Sequence, residues 1–420
     1  MTRTGGPMQE NTVSDNTASD NTASDNTAGR RPPRVGVNLY PWDAVGDPDC
    51  AARIKDLGAG RVTLAAAYHT VRALTPQHPE HKVVTAAHSA VYYAPDRRRW
   101  LGKRLQPVEA FWSPRSFPQA AADLGRAGLS VYAWVVLAHN QRLGTLHPED
   151  SVVNAYGDHY PWALCISSEA VRDYCATLAA EVAEQDGIDG IELESCGWYG
   201  FDHLHAHDKT GGVAFDPPGK LLLSLCFCAA CTHGYKEAGI DGKALRGAVC
   251  DALDRVIAGA NPRAELTDPA LAEAVATMRT RMAAQFQDEV IGAVRAVRPD
   301  LTVLVHAQPD PLALSANPGA PPASLFGPLG ADGAVVPCNV RSEAALAMVR
   351  AYAERAEPHQ SVVATVSAVA GMGGDRADLS AWCADLHKAG STELRFYHAG
   401  LASRADLAAV REAVAAVRTD

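Results

Sequence analysis

Glu192 and Glu194 stand two residues apart in the segment Asp189–Glu194 (DGIELE). Ile191 and Leu193 alternate with them, so a strand here puts the apolar pair on one face and both carboxylates on the other. The two acids then lie ~7 Å apart at Cα. Like charges that close raise the pKa of one of them and create a general acid beside an ionised partner. Glycoside hydrolysis needs that division of labour. Buried together, two acids are costly unless solvated, paired or functional. The competing reading pairs one of them with an inward-facing arginine such as Arg395. Glu194, nearer the open end of the strand, is the preferred general acid/base, with Glu192 beside it. The second group is open between Glu192, Asp310, Asp43 and a histidine.

Cys226, Cys228 and Cys231 form C-x-C-x-x-C. Soft thiolates this close select zinc, and a closed four-ligand site is structural. Cys165 is the preferred fourth ligand, with Cys196 and His233 as alternatives. Three reduced thiols without a metal are the plain alternative, and an iron–sulfur cluster ranks below zinc because the spacing is less usual for one. Between the acids and the cysteines lies Gly200–Lys209 (GFDHLHAHDK), with His203, His205, His207 and Asp208. That loop suits substrate contact, a second metal with an open position for water, or plain solvation. Trp198, Tyr199 and Phe201 offer a stacking platform for a sugar ring or a small hydrophobic cluster.

The elements that must hold these groups alternate along the chain. Apolar runs at 34–40, 61–67, 129–137, 188–194, 301–307, 333–337, 361–369 and 392–397 read as strands. Helices are predicted near 47–57 and over 116–128, 167–185, 242–258, 269–297, 342–356, 377–389 and 403–417. No G-x-G-x-x-G follows the first strand, so a dinucleotide-binding fold has no specific support. The fold class expected is α/β, a (β/α)8 TIM barrel with a long loop after strand four. Insertions are expected at about 70–112, where Lys82–Thr85 and Ala90–Tyr93 are β-rich, and at about 196–240. Barrel sites lie at the C-terminal strand ends. Those ends carry Tyr68, His69, His139, Asn140, His306, Gln308, Asn339, Tyr397 and His398, which with Trp198, His203, His207 and Asp208 are the candidate substrate-binding residues.

SDNTA occurs three times in tandem between Ser14 and Ala28. Such polar sequence buries too little apolar area to offset backbone ordering, so residues 1–31 are expected to be a disordered tail, with the barrel spanning 32–420. That tail has no apolar core of a secretory signal, and no run of residues approaches the ~18 apolar positions of a membrane span. Net charge is −10 and basic residues do not cluster, which argues against nucleic acid as a partner. The ten cysteines are unevenly spaced, as expected of a cytoplasmic protein with metal-bound and buried thiols rather than a disulfide framework.

The segments Leu164-Cys165, Ala170–Tyr174, Asp189–Glu194 and Cys226–Cys231, with AHNQRLG at 138–144 and YHTVRALTPQHP at 68–79, resemble glycosidase-like TIM-barrel proteins of bacteria, an uncharacterised actinobacterial family. The cysteine pattern is also similar to the zinc cluster of family 42 β-galactosidases, and that resemblance implies Cys165, Cys226, Cys228 and Cys231 as ligands. Those enzymes carry Asn-Glu at strand four and a nucleophilic Glu at strand seven. This chain has Leu193-Glu194 at the fourth and only Thr365, Ser367 and apolar residues at the seventh. The acidic signature of family 18 chitinases fails too, because Cys196 occupies the place of its terminal acid. The resemblance implies a glycoside hydrolase-like enzyme acting on a carbohydrate or glycoside. Two other readings are a carbohydrate-binding pseudoenzyme with a structural zinc, and a metal-dependent hydrolase or lyase using the loop from His203 to Asp208.

Overall fold

In the computed structural model the described residues are 31–202, 208–260, 263–328 and 330–419. The SDNTA repeats, and the expected tail apart from Arg31, lie outside that set. Eight strands run β1 (Arg34–Leu39), β2 (Arg61–Tyr68), β3 (Ser130–Val136), β4 (Gly190–Glu194), β5 (Thr302–His306), β6 (Gly333–Pro337), β7 (Ser361–Ser367) and β8 (Glu393–Tyr397). Each pairs in parallel with its sequence neighbours, and β8 pairs with β1, so the sheet closes on itself. Parallel neighbours require crossovers. Most of these are amphipathic helices packed outside the barrel, from Cys50–Asp56 through the 29-residue Pro269–Val297 to Leu379–Lys388. The (β/α)8 barrel is therefore the fold, and Pro32–Asp420 forms one compact unit.

Strand alternation divides the residues as a barrel requires. Tyr132, Leu304, Val335 and Val363 point inward and form their own buried cluster, separate from the shell between strands and helices. Gly190 belongs to this layer because the Tyr132 ring occupies the space where a side chain would begin. On β2 the alternation breaks once. Thr63 faces inward to Glu192, and Tyr68 also faces inward to Tyr40, although they are five positions apart. A bulge between Ala65 and Ala67 supplies the extra residue and re-aims the strand end.

The insertions contain more structure than the sequence suggests. After β2, Val71–Leu74 pairs with Val83–Ala86 as a hairpin, while Ala90–Val91 adds antiparallel to the end of β2. The stretch after β3 holds a second hairpin, Ser151–Val153 with His159–Leu164. After β4 come two short helices, Pro217–Leu223 and Ala229–Glu237, before the expected long ones.

Leu304 is fully buried inside the barrel. Leu304→Ala is expected to lower the unfolding free energy by about 2–5 kcal/mol, read from denaturant titration, with no change in the denaturant slope.

Candidate active site and cysteine cluster

The floor of the site is an ionic network on the inward positions of β2, β4, β5 and β8. Arg395 Nη1 lies 2.5 Å from Glu192 Oε2, and both side chains are fully buried. The same nitrogen bonds Thr63 Oγ1, which itself donates to Glu192 Oε2 at 3.1 Å. On its other side Arg395 meets Glu393 through Nε (2.9 Å) and Nη2 (2.5 Å), and Glu393 also binds Arg61. His306 Nε2 is 2.8 Å from Glu192 Oε1. The Asn317 amide donates to His306 Nδ1 at 3.3 Å, which leaves the ring proton on Nε2, facing Glu192. Burial alone would raise the Glu192 pKa, but Arg395 and His306 together hold it down at about 2.

Glu194, one inward position further along β4, is treated differently. Its Oε2 accepts from the indole N–H of Trp134 at 2.7 Å. No cation pairs with it among the described residues. Burial pushes its carboxyl above the usual carboxylate range; the charge of Glu192 adds to this, while His306 and the Trp134 N–H pull the other way. Aromatic rings surround the acid. Trp134 meets Tyr68 edge-on at 4.7 Å and Tyr397 at 5.6 Å between ring centroids. Tyr40 donates to Tyr68 at 3.1 Å and lies 3.2 Å from His398 Nδ1. Burial lowers the His398 pKa to about 3, with nearby His69 adding to the effect, so the ring is neutral near pH 7.

Two residues at the strand ends are held in left-handed backbone: Ser195 (φ 54°) directly after Glu194, and His398 (φ 58°) directly after Tyr397. Non-glycine residues adopt this region rarely and at a cost. The amide of Ser195 is held by the Ala316 carbonyl at 2.9 Å. The interior also holds polar atoms with no partner among the described residues, namely both amide atoms of Asn38 and the hydroxyl of Thr365. Asn38 shares the inward parity of Tyr40, and Thr365 that of Val363, so alternation within β1 and β7 could have found both.

The cysteine cluster lies apart from these acids. Cys165, at the end of the hairpin His159–Leu164, meets Cys226, Cys228 and Cys231, all four buried and all four reduced. The sulfurs of Cys165 and Cys231 are 3.4 Å apart, and those of Cys165 and Cys228 3.6 Å. A tetrahedron with metal–sulfur bonds of about 2.3 Å has edges of about 3.8 Å, so the donor set fits a four-coordinate ion. Backbone N–H groups point at the sulfurs: Val153 to Cys226 (3.4 Å), Cys228 to Cys226 (3.5 Å) and Cys231 to Cys228 (3.5 Å). Such donors favour thiolate. Without a cation the three neighbouring thiols donate to Cys228 and push it down, while Cys165 is pushed up. Of the alternative ligands, Cys196 is buried elsewhere, its carbonyl bound by Gln287, and His233 is exposed beside Glu237.

No family model matches this chain, and no curated protein matches it. Solved structures do. The PgaB (BpsB) glycoside hydrolase domain from Bordetella bronchiseptica superposes with a TM-score of 0.56 at 18% identity, over 91% of this chain and 99% of that one. The α-L-fucosidase isoenzyme 2 from Paenibacillus thiaminolyticus gives 0.54 at 12% identity, over 92% of this chain and 49% of that one. A β-galactosidase from Halorubrum lacusprofundi gives 0.54 at 12%, over 91% and 57%. This chain has the barrel fold found in glycoside hydrolases. It spans about half the length of the fucosidase chain.

Within that barrel the predicted residues separate into groups. His306 bonds Glu192, Tyr68 and Tyr397 pack on Trp134, the donor to Glu194, and His398 stacks on Tyr40. His69 stacks on Tyr68 at 4.2 Å and on His139 at 4.3 Å, and His139 Nδ1 lies 3.1 Å from Tyr199 Oη. Others hold structure instead. Asn140 caps the helix Gln141–Leu146 and bonds Tyr174. Gln308 ties down Ser315 and Asn317. Trp198, expected to stack on a sugar, is buried under the Arg279 guanidinium and donates to the Arg279 carbonyl. Asn339 is exposed beyond β6, and Asp208 is exposed beside a cleft lined by Trp162, Phe201 and Phe215. His203 and His207 lie outside the described residues. Trp134 and Tyr40 were missed, because inside their apolar runs they read as core.

Glu192 contributes stability above its unfolded pKa near 4.5, and that contribution is lost as pH falls toward 2. Arg395→Met leaves its charge buried and unpaired, so unfolding free energy should fall by about 3–5 kcal/mol near pH 7. The deficit should narrow below about pH 4.5, where Glu192 can protonate, and the double variant with Glu192→Gln should recover most of it. Denaturant titration across pH reads all three.

Proposed function

We propose that this chain is a glycoside hydrolase-like enzyme acting on a carbohydrate or glycoside, with Glu194 as the general acid/base. The observation that carries the reading is the contrast within β4. Glu192 is ionised and saturated with partners, whereas burial raises the pKa of Glu194, whose carboxyl has a single neutral donor. A protonated carboxyl at the C-terminal end of a barrel strand can deliver its proton to a glycosidic oxygen. Glu192 then acts by position: its fixed charge adds to the effect of burial in favouring the acid form of Glu194. The surrounding rings of Tyr68, Tyr397 and Trp134 suit the face of a sugar. His139, His69 and His398 supply polar edges for its hydroxyl groups, with the histidine loop from His203 to Asp208 as a further candidate contact. The shared barrel fold agrees with this reading.

The ion-pairing of Glu192 favours one second reading, a carbohydrate-binding protein without turnover. An acid tied to Arg395, Thr63 and His306 is poorly suited to be the second reacting group.

For the cysteine cluster we propose a structural zinc. The closed set of four buried sulfurs leaves no open position for water, and the resemblance to the family 42 cluster points the same way. The bound ion would supply fold rather than reaction chemistry, clamping the hairpin after β3 to the segment after β4. No helix of the described residues is long and apolar enough to cross a membrane. Ten reduced cysteines agree with a cytoplasmic location.

Glu194→Gln is expected to lower kcat on aryl glycosides by about 10²–10⁴-fold while sugar binding persists. Trp134→Phe, which removes the donor to the ionised form, is expected to move the basic limb of the pH–rate profile upward. Measurable sugar binding by wild type with no turnover across a broad glycoside panel supports the binding-protein reading instead. Elemental analysis of purified protein is expected to give about one zinc per chain. Cys165→Ser should lose most of it and lower the melting temperature.

A further inference from the structure

Arg279 lies on the outward-packed helix Pro269–Val297 and is 1% exposed. None of its three guanidinium nitrogens has a hydrogen-bond partner among the described residues, and it forms no ion pair with a carboxylate there. Its guanidinium sits 4.1 Å over the ring of Trp198. The other deeply buried arginine, Arg395, has two glutamates and a threonine around it. A buried cation with no anion is an expensive feature, and an explanation must come from what lies beside it.

The cysteine cluster does. Helix Pro269–Val297 packs on Ala229–Glu237, the helix that begins at the cluster and carries Cys231, and Met278 lies against Gly234 of that helix. Tyr235 of the same helix donates to the Cys226 carbonyl at 3.0 Å. Burial lowers the pKa of the Arg279 guanidinium, and the groups that act against burial are Tyr235 and the thiols of Cys231, Cys226 and Cys165. We propose that Arg279 is the counter-charge of a tetrathiolate divalent-metal centre, stabilising the dianion that four cysteinates make around a 2+ ion. The proposal rests on reading the cluster as a metal site.

The charges explain why an arginine is placed there. Four thiolates and a divalent cation leave two negative charges in a site with no exposed sulfur to speak of. The backbone N–H groups of Val153, Cys228 and Cys231 soften that charge but do not cancel it. A guanidinium needs less hydration than an ammonium, and the face of Trp198 gives it a second favourable contact. With the metal bound, the guanidinium has an anion. Without it, the thiols can take up protons, and the arginine loses that anion. Arg279 is thus a positioning residue for the metal rather than a ligand, and it stabilises one state of the site only.

The test uses the full chain with zinc and with Co²⁺ as probes. Zinc affinity is read by competition with a chromophoric chelator, the tetrathiolate by the sulfur-to-cobalt charge-transfer band, and folding by thermal melts of metal-loaded and metal-stripped protein. Arg279→Met is expected to bind zinc about 10–100-fold more weakly, and Arg279→Lys to recover much of the loss because it keeps the charge. The melting temperature of Arg279→Met should fall in the loaded protein and hold steady or rise in the stripped protein. Should Arg279→Met fail to fold, Arg279→Gln against Arg279→Lys makes the same comparison of neutral with charged side chains. Wild-type zinc affinity in the neutral variants, or equal losses of melting temperature with and without metal, would make Arg279 a packing residue and overturn the proposal. If the reduced wild-type chain takes up no zinc or Co²⁺, or Cys165→Ser binds as tightly, the metal reading itself falls and the proposal with it.

Discussion

The contact between Arg395 and Glu192 decides what the inside of this barrel can be. A closed parallel barrel of eight strands is normally packed with branched apolar side chains, and one layer here obeys: Tyr132, Leu304, Val335 and Val363. The neighbouring inward positions hold a chain of charges, Arg61–Glu393–Arg395–Glu192, ended by His306 and Thr63. None of these groups tolerates burial alone. Each survives because its neighbours satisfy it, so the network stands or falls as a unit. Well-packed apolar residues could serve stability as well or better, which turns attention to the charge the network leaves at the end of β4.

That charge adds to the effect of burial on Glu194. Two carboxylates two residues apart on one strand face see the same barrel, yet one is driven below its usual range and the other above it. The difference is one of partners. Arg395 and the His306 N–H are spent on Glu192, and Glu194 is left with a neutral indole donor and its neighbour's negative charge. The aromatic shell of Tyr40, Tyr68, Trp134 and Tyr397 keeps the surrounding dielectric low and deepens the effect. Removing the arginine would therefore disturb the proposed acid without touching it.

The strands were legible in the sequence because parallel barrel strands are buried on both faces and read as continuous apolar runs. The cluster Cys165, Cys226, Cys228 and Cys231 was legible because sulfur is scarce and its spacing is informative. Period two also correctly sent Glu192 and Glu194 to one face. Side-chain partnership was not legible. Arg395 could be named as a candidate for pairing, but choosing which acid it takes depends on the stagger of β8 against β4 across the barrel. Tyr68 needed the bulge at Ala65 and Ala67 to reach the interior, and a bulge of small residues leaves no mark in composition. Trp198 looked like a sugar platform by type, and only the helix Pro269–Val297, eighty residues on, shows it as the bed of Arg279.

Strand β4 thus carries one electrostatic system before its end and leads into another after it. Glu192 anchors the ionic floor. Four residues past Glu194, Trp198 is held by the ring and carbonyl contacts of Arg279, beside the thiols. Between these anchors run Ser195, in its left-handed backbone, and the turn to Tyr199, which reaches His139. A strained backbone persists only where its surroundings over-determine it, and here both sides are pinned by buried charge. The same logic accounts for the long insertion after β4: it brings three cysteines back to the hairpin after β3, where the proposed metal clamp would fix the loop that leaves the proposed acid.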